Sequence, residues 1–205
     1  MTKGSKSFAR RIGVDTNADF EERKYMVLRE AARAFVENGV AKTSIDEIAR
    51  RLGVTKPTIY HYVGNKENII TECLKQGTRG LDILLNQLES EELSGMDKLR
   101  GLLKAYTENV ANDFGQCLVA IDVKQLKPES RKAFGKARRR FIDLVQGLIQ
   151  EGIDDGSIRP QDPVLSAYAI IGAFNFIPQW YFQEEIDTEQ LFDGFFDVIG
   201  EGLKP

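Results

Sequence analysis

Residues 43–66 hold the densest run of local structural signals in the chain: two short helices, a glycine turn between them and the opening of a third. Ser44 is placed to cap the first helix, and Glu47 three residues later completes a capping box for backbone amides that a helix start leaves unpaired. Ile45, Ile48, Ala49 and Leu52 follow at i, i+3, i+4 and i+7, which makes one apolar stripe. Gly53 comes next, where the chain needs a left-handed residue to leave the helix. Thr55 is the expected cap of the second helix, and Pro57 sits in its first turn, where a missing N–H costs nothing.

In that second helix Ile59 and Val63 are expected to face inward, while Thr58 and Tyr62 share another face, flanked by Tyr60 and His61. Hydroxyls, an imidazole and Lys56 then point away from the core, groups suited to phosphates and base edges. Residues 64–67 read as turn, cap and new helix, with Lys66 adding its charge to a helix N-terminus, an arrangement that attracts phosphate. A preceding helix carries Leu28, Ala31, Ala32 and Phe35 as its stripe, Asp19, Glu21 and Glu22 in its first turn, and Gly39 at its end. Capped helices around a glycine also occur in proteins that never touch DNA, so these features alone leave both readings open.

Residues 21–70 nevertheless resemble the DNA-binding domain of the TetR family of bacterial transcriptional repressors. The matching pieces are Ala31-Ala-Arg-Ala-Phe35, Asn38-Gly-Val40, Thr43-Ser-Ile-Asp-Glu-Ile-Ala49, Leu52-Gly-Val54, Thr58-Ile-Tyr60 and Asn65-Lys-Glu67, in unbroken order. Val63 stands where an aromatic residue is usual, and Pro57 where a small one is common. The resemblance implies DNA contacts from Thr43, Ser44, Thr55, Lys56, Thr58, Tyr60, His61, Tyr62 and Lys66. It also implies an all-α chain. Residues 1–18 would be a flexible basic arm, 19–66 a three-helix helix-turn-helix unit, and 67–205 a larger helical domain for effector binding and dimerisation.

Charge distribution agrees. Residues 1–70 carry 13 Lys/Arg against 9 Asp/Glu, and the remainder 15 against 22, so a basic head sits on an acidic body. Lys3, Lys6, Arg10 and Arg11 lie in the arm, either a tail or a segment that follows the minor groove. No leader pattern or membrane-length apolar run is evident, and the expected location is the cytoplasm. Cys73 and Cys117 lack the spacing of a redox or metal motif and read as buried thiols. His61, the only histidine, already sits in the second helix and clustered His/Cys ligands are absent, so neither a catalytic triad nor a metal site is expected; no cofactor is expected either.

Residues 66–88 continue as one long helix through Ile69, Ile70, Cys73, Leu74, Leu81, Leu84, Leu85 and Leu88, with Gly77 and Gly80 each costing up to about 1 kcal/mol against alanine. Helical patterns resume over 97–112, pause at 113–115 and run to about 126. Pro128 opens a strong helix containing Phe134, Ala137, Phe141, Val145, Leu148, Ile149 and Ile153. Its Lys136, Arg138, Arg139 and Arg140 form a solvated face, an anion site or a second DNA contact. After a turn-rich linker at 154–163, two helices are expected at 163–183 and 188–203, with Pro178 kinking or splitting the first.

Six of the twelve Phe fall between 174 and 196, more apolar surface than one amphipathic face requires. The family's last two helices pair with those of a second copy, and Gly152, Gly156, Arg159 and Asp162-Pro163 resemble its lead-in to them. That implies a homodimer interface at Tyr168, Ile171, Leu191, Phe192, Phe195, Phe196, Ile199 and Leu203. A two-fold dimer also sets two recognition helices about 34–36 Å apart, one turn of B-DNA. Inward-facing Tyr106, Phe114, Cys117, Phe141, Phe174 and Trp180 are the candidates for an effector pocket, with an apolar or amphipathic small molecule as occupant. The reading is a repressor that binds a palindromic double-stranded operator and is released by that molecule, with no membrane partner. Its rivals are an effector-independent DNA-binding structural protein of the same fold, a non-DNA helical adaptor, and an enzyme on a helical scaffold. For the last, no paired nucleophile and base is evident.

Overall fold

The computed structural model of the chain describes residues 17–88, 92–181, 184 and 186–205, with side chains except at 80–88. Among the described residues there are nine α-helices and no strand. They are α1 (Asn17–Asn38), α2 (Ile45–Leu52), α3 (Lys56–Val63), α4 (Lys66–Leu88), α5 (Gly95–Val110), α6 (Asp113–Ala120), α7 (Pro128–Asp154), α8 (Pro163–Phe176) and α9 (Thr188–Leu203). Short 3-10 turns at Val123–Gln125 and Ile177–Gln179 complete them. No described helix is long and apolar enough to cross a membrane. The expected arm lies outside the described residues as far as residue 16, and α1 already begins at Asn17. The side chains of Leu81, Leu84, Leu85 and Leu88 also lie outside them.

The apolar stripes read from the sequence converge on two cores. The first joins Leu28, Ala31, Ala32 and Phe35 of α1 to Ile45, Ile48, Ala49 and Leu52 of α2, Ile59 and Val63 of α3, and Ile69, Ile70, Cys73 and Leu74 of α4. It runs past residue 66 and takes in Phe114, Cys117, Ile121 and Leu126 from farther along the chain. The second joins α5, α7, α8 and α9 through residues such as Leu99, Leu103, Val145, Ile149, Phe174 and Leu191. We call the helices of the first core up to α3 the head.

Local chemistry sets the boundaries. Ser44 caps α2 by accepting from the Glu47 amide at 3.1 Å, and Gly53 leaves the helix at φ +68°. The other half of the expected capping box is absent, because the Glu47 carboxylate turns to Asn38 at 3.0 Å and Arg51 at 2.9 Å. Thr55 precedes α3, but its hydroxyl bonds the Thr58 hydroxyl at 2.8 Å instead of a backbone amide. The pause expected at 113–115 is a helix start: the Asn112 side chain accepts from the Phe114 and Gly115 amides and opens α6. That helix ends at Ala120 instead of near 126. Pro178 splits the first of the last two helices, so α8 stops at Phe176 and tightens into a 3-10 turn.

The start of α5 is pinned to the end of α7. Asp155 accepts from the Gly95 amide at 2.7 Å and the Ser157 amide at 2.8 Å, and the Ser157 bonds first of all hold its carboxyl below the usual range. A Cβ on Gly95 would meet Gly152 Cα at 2.5 Å and Glu151 carbonyl carbon at 2.8 Å, so only glycine permits this approach. Gly95→Ala is expected to lower stability by about 1–3 kcal/mol, read as a shifted urea midpoint with an unchanged slope. An unshifted midpoint would remove the role assigned to this contact.

Candidate DNA-binding face and ligand cavity

The exposed side of the head is built by α3 and the N-terminal end of α2. Lys56, Tyr60 and His61 are exposed on α3, and Thr55 and Ser44 are exposed at the two caps, with Thr58 half-buried beside Thr55. Tyr60 is 46% exposed. His61 keeps its place by edge-on contact with Phe20 at 5.6 Å. Lys56 forms an ion pair with Asp46 at 2.8 Å, and that hydrogen bond holds its ammonium more firmly charged. Lys66, half-buried at the start of α4, has its charge disfavoured by burial. Behind this face Arg51 joins Glu30, Glu37 and Glu47 at 2.7–3.5 Å, tying α2 to α1.

Two residues expected on this face are turned inward. Thr43 is 1% exposed, its hydroxyl 2.9 Å from the Gly39 carbonyl and 3.0 Å from that of Ala34, so it closes the loop after α1. Tyr62 is 7% exposed, three residues from the core residue Ile59. Its ring lies 5.1 Å from that of Phe20, and its phenol accepts from Arg23 at 3.2 Å. In an eight-residue helix wedged against α1, the i+3 position is already core. Asp46, which faces Lys56, was invisible to sequence reasoning because the pair is ten residues apart.

A cavity of about 660 Å³ opens between α4, α5, α6, α7 and α8. Leu74, Val110, Leu118, Val119, Ile121, Phe134, Ile142 and Ile171 give it apolar walls, and Thr78, Asn109, Arg138, Asn175 and Gln179 add polar groups. Tyr106 and Phe141, both expected, line it with rings stacked 4.6 Å apart. The Tyr106 hydroxyl donates to Asn175 Oδ1, and burial pushes its pKa up. The other four expected pocket residues belong to the cores. Phe114 and Cys117 face the head, where Phe114 meets Tyr25 at 5.4 Å. Phe174 is fully buried between Tyr106 and Phe195, and Trp180 stacks on Phe195 at 6.0 Å. Periodicity marks these residues as inward without saying toward which of two interiors.

Of the basic run on α7, Arg138 lines the cavity, Arg139 pairs with Asp143 at 3.0 Å, and Lys136 and Arg140 are exposed. The expected interface residues also divide. Ile171, Leu191, Phe192 and Leu203 are buried inside the subunit, because α8 packs on α7 and α5, and α9 packs on α5. Phe195, Phe196 and Ile199 are half-buried, with Arg100 lying over the Phe192 and Phe196 rings. Tyr168, also expected, is exposed on α8, and the other large exposed apolar residues of these two helices are Val164, Leu165 and Phe176 on α8 and Val198 on α9. Leu165, Phe176 and Val198 are 68%, 62% and 77% exposed. Among the described residues no three His, Cys, Asp or Glu side chains gather as a metal set.

Comparison with known proteins places these features. Residues 27–73 match the family of bacterial regulatory proteins called tetR, and residues 92–203 match the tetracyclin repressor-like C-terminal domain. The HTH-type transcriptional repressor KstR2 of Rhodococcus jostii (strain RHA1) is 30% identical over 78% of this chain and 79% of its own length. The fatty acid metabolism regulator protein of Bacillus subtilis (strain 168) is 24% identical over 88% and 95%. The solved structure of the ketosteroid transcriptional regulator KstR2 of Mycobacterium tuberculosis superposes with a TM-score of 0.80 at 21% identity, over 95% of this chain and 100% of that one.

The two tyrosines of α3 separate surface from core. Tyr62→Ala is expected to cost about 3–5 kcal/mol, as aromatic-to-alanine changes in a core do. Tyr60→Ala should stay within about 0.5 kcal/mol of the parent. Equal losses in urea titrations would contradict this placement.

Proposed function

The chain belongs to the TetR family of bacterial regulatory proteins, and we propose that the exposed residues of α3 read its operator while the cavity holds the small molecule that ends that contact. It is a DNA-binding transcriptional regulator, and its relatives are regulators and not enzymes. Residues 19–66 act as the DNA-reading unit, with residues 1–18 as a basic arm, and residues 67–205 bind the ligand and the second subunit. Lys56, Tyr60 and His61, with Ser44, Thr55 and Thr58, supply donors, acceptors and a ring at the outer surface of α2 and α3. Lys66 offers phosphate a charge at a helix N-terminus.

One observation carries the link between ligand and DNA: α6 walls the cavity on one side and grips the head on the other. Leu118 and Val119 line the cavity, whereas Asp113 pairs with Arg33 at 2.7 Å and Arg29 at 3.4 Å on α1. A molecule that pushes α6 outward moves the head with it. The cavity also argues against the effector-independent reading, which a densely packed body would favour. Its apolar walls with Arg138 and Asn175 suit an amphipathic molecule, an acid or anionic thioester among them. The Bacillus subtilis relative's name, a fatty acid metabolism regulator, agrees with that class.

Dimerisation runs through α8 and α9, with Leu165, Tyr168, Phe176 and Val198 in place of the buried residues of these helices. A two-fold pair of subunits then sets the α3 helices in successive major grooves of a palindrome. Because α8 also supplies Ile171 and Asn175 to the cavity, ligand and interface share one helix.

An anisotropy titration of the purified protein against a duplex selected from a random library tests this reading. Tight binding should fall steeply with salt, and Lys56→Ala should reduce the salt slope by about 1. Tyr60→Ala should weaken the operator by about 1–3 kcal/mol while leaving scrambled DNA nearly unaffected. Recovery of no preferred sequence would refute operator recognition.

A further inference from the structure

We propose that residues 121–131, a strap made of the α6–α7 connection and the first turn of α7, set the angle at which the head presents α3, with Gln125 and Ser130 as positioning residues; this rests on the DNA-reading function above. The strap is anchored in the head's own core by Ile121 and Leu126, both buried. Gln125 Oε1 accepts the Ala41 amide at 3.0 Å, in the loop that leads into α2. The buried Ser130 hydroxyl donates to Glu67 in the first turn of α4, next to Lys66. The α2–α3 unit is therefore held on both flanks, just before it begins and just after it ends.

The strap itself is stiff. Arg131 donates from Nε to the Val123 carbonyl at 3.1 Å and from Nη2 to those of Lys124 at 3.0 Å and Leu126 at 3.1 Å. On its other side Ile121, Asp122 and Val123 line the cavity. None of these side chains belongs to the DNA face, so their effect on DNA passes through orientation alone. Two attachments fix a rigid body's rotation more closely than one. Loss of either lets the head swing and tolerate operators whose half-sites are wrongly spaced.

The test uses the full-length protein, its selected operator, and the same duplex with one base pair inserted at the centre, a rotation of about 35° between half-sites. The parent should bind the inserted duplex about tenfold more weakly, the size of a single mismatched position. Gln125→Ala, Ser130→Ala and Arg131→Ala should reduce that ratio to about threefold or less, and Ser130→Thr, which keeps the hydroxyl, should restore it. Hydrogen exchange on the free variants should be faster at the Ala41 amide and in the first turn of α4. Variants that discriminate as the parent does, or weaken on both duplexes equally, overturn the strap's positioning role. Unchanged exchange at both flanks overturns it even if no operator is recovered, whereas an unselective parent with accelerated exchange in its variants overturns the DNA reading and leaves the strap's grip on the head supported.

Discussion

Everything about this molecule turns on the crossing of α4 and α6. A Cβ on Gly77 would meet Leu118 Cγ at 2.8 Å and the Phe114 carbonyl at 3.3 Å, so the two helices pack closely and a larger residue there would displace the Leu118 side chain. That closeness lets Phe114 and Cys117 reach the core of the head while Leu118 and Val119, one helical face away, stay in the cavity wall. Buried area, not charge, holds α6 there. The Arg29 and Arg33 pairs with Asp113 are partly exposed and contribute about 0–1 kcal/mol each. Burial of Phe114 alone is worth about 1.5–3 kcal/mol.

With one short helix common to both interiors, the head and the cavity cannot relax independently. A molecule in the cavity changes DNA affinity only by its preference for one arrangement of α6 over the other, of the order of 1–3 kcal/mol in most coupled pairs of sites. The cavity is open enough to admit an occupant, whereas the contacts of α6 with the head are closely packed. Lys56 is placed by a weaker contact. Its ion pair with Asp46 joins α3 to α2 at 2.8 Å and, being exposed, adds little to stability.

Much of this could be read from the amino acids. The stripes of α1 to α3, the Gly53 turn, the Pro128 and Pro163 helix starts and the Pro178 split all follow from spacing and backbone preference. What spacing could not give was the address of each inward residue. Tyr62, Phe114, Phe174 and Leu191 are all apolar or aromatic positions on helical period, and a one-dimensional pattern cannot say which of two cores, a cavity or a second subunit receives them. The cavity's polar members, Asn175 and Arg138, and the Gln125 bond to Ala41 span elements far apart in sequence and carry no local signal.

Reciprocal linkage tests the shared-helix account most directly. A fatty acid or anionic thioester chosen from a panel by its thermal shift would be titrated calorimetrically into the free protein and into its operator complex. The account predicts that the operator weakens ligand binding by the same factor by which the ligand weakens operator binding, and that Val119→Trp, which fills the cavity, abolishes both. A ligand that binds equally well with and without operator would contradict it.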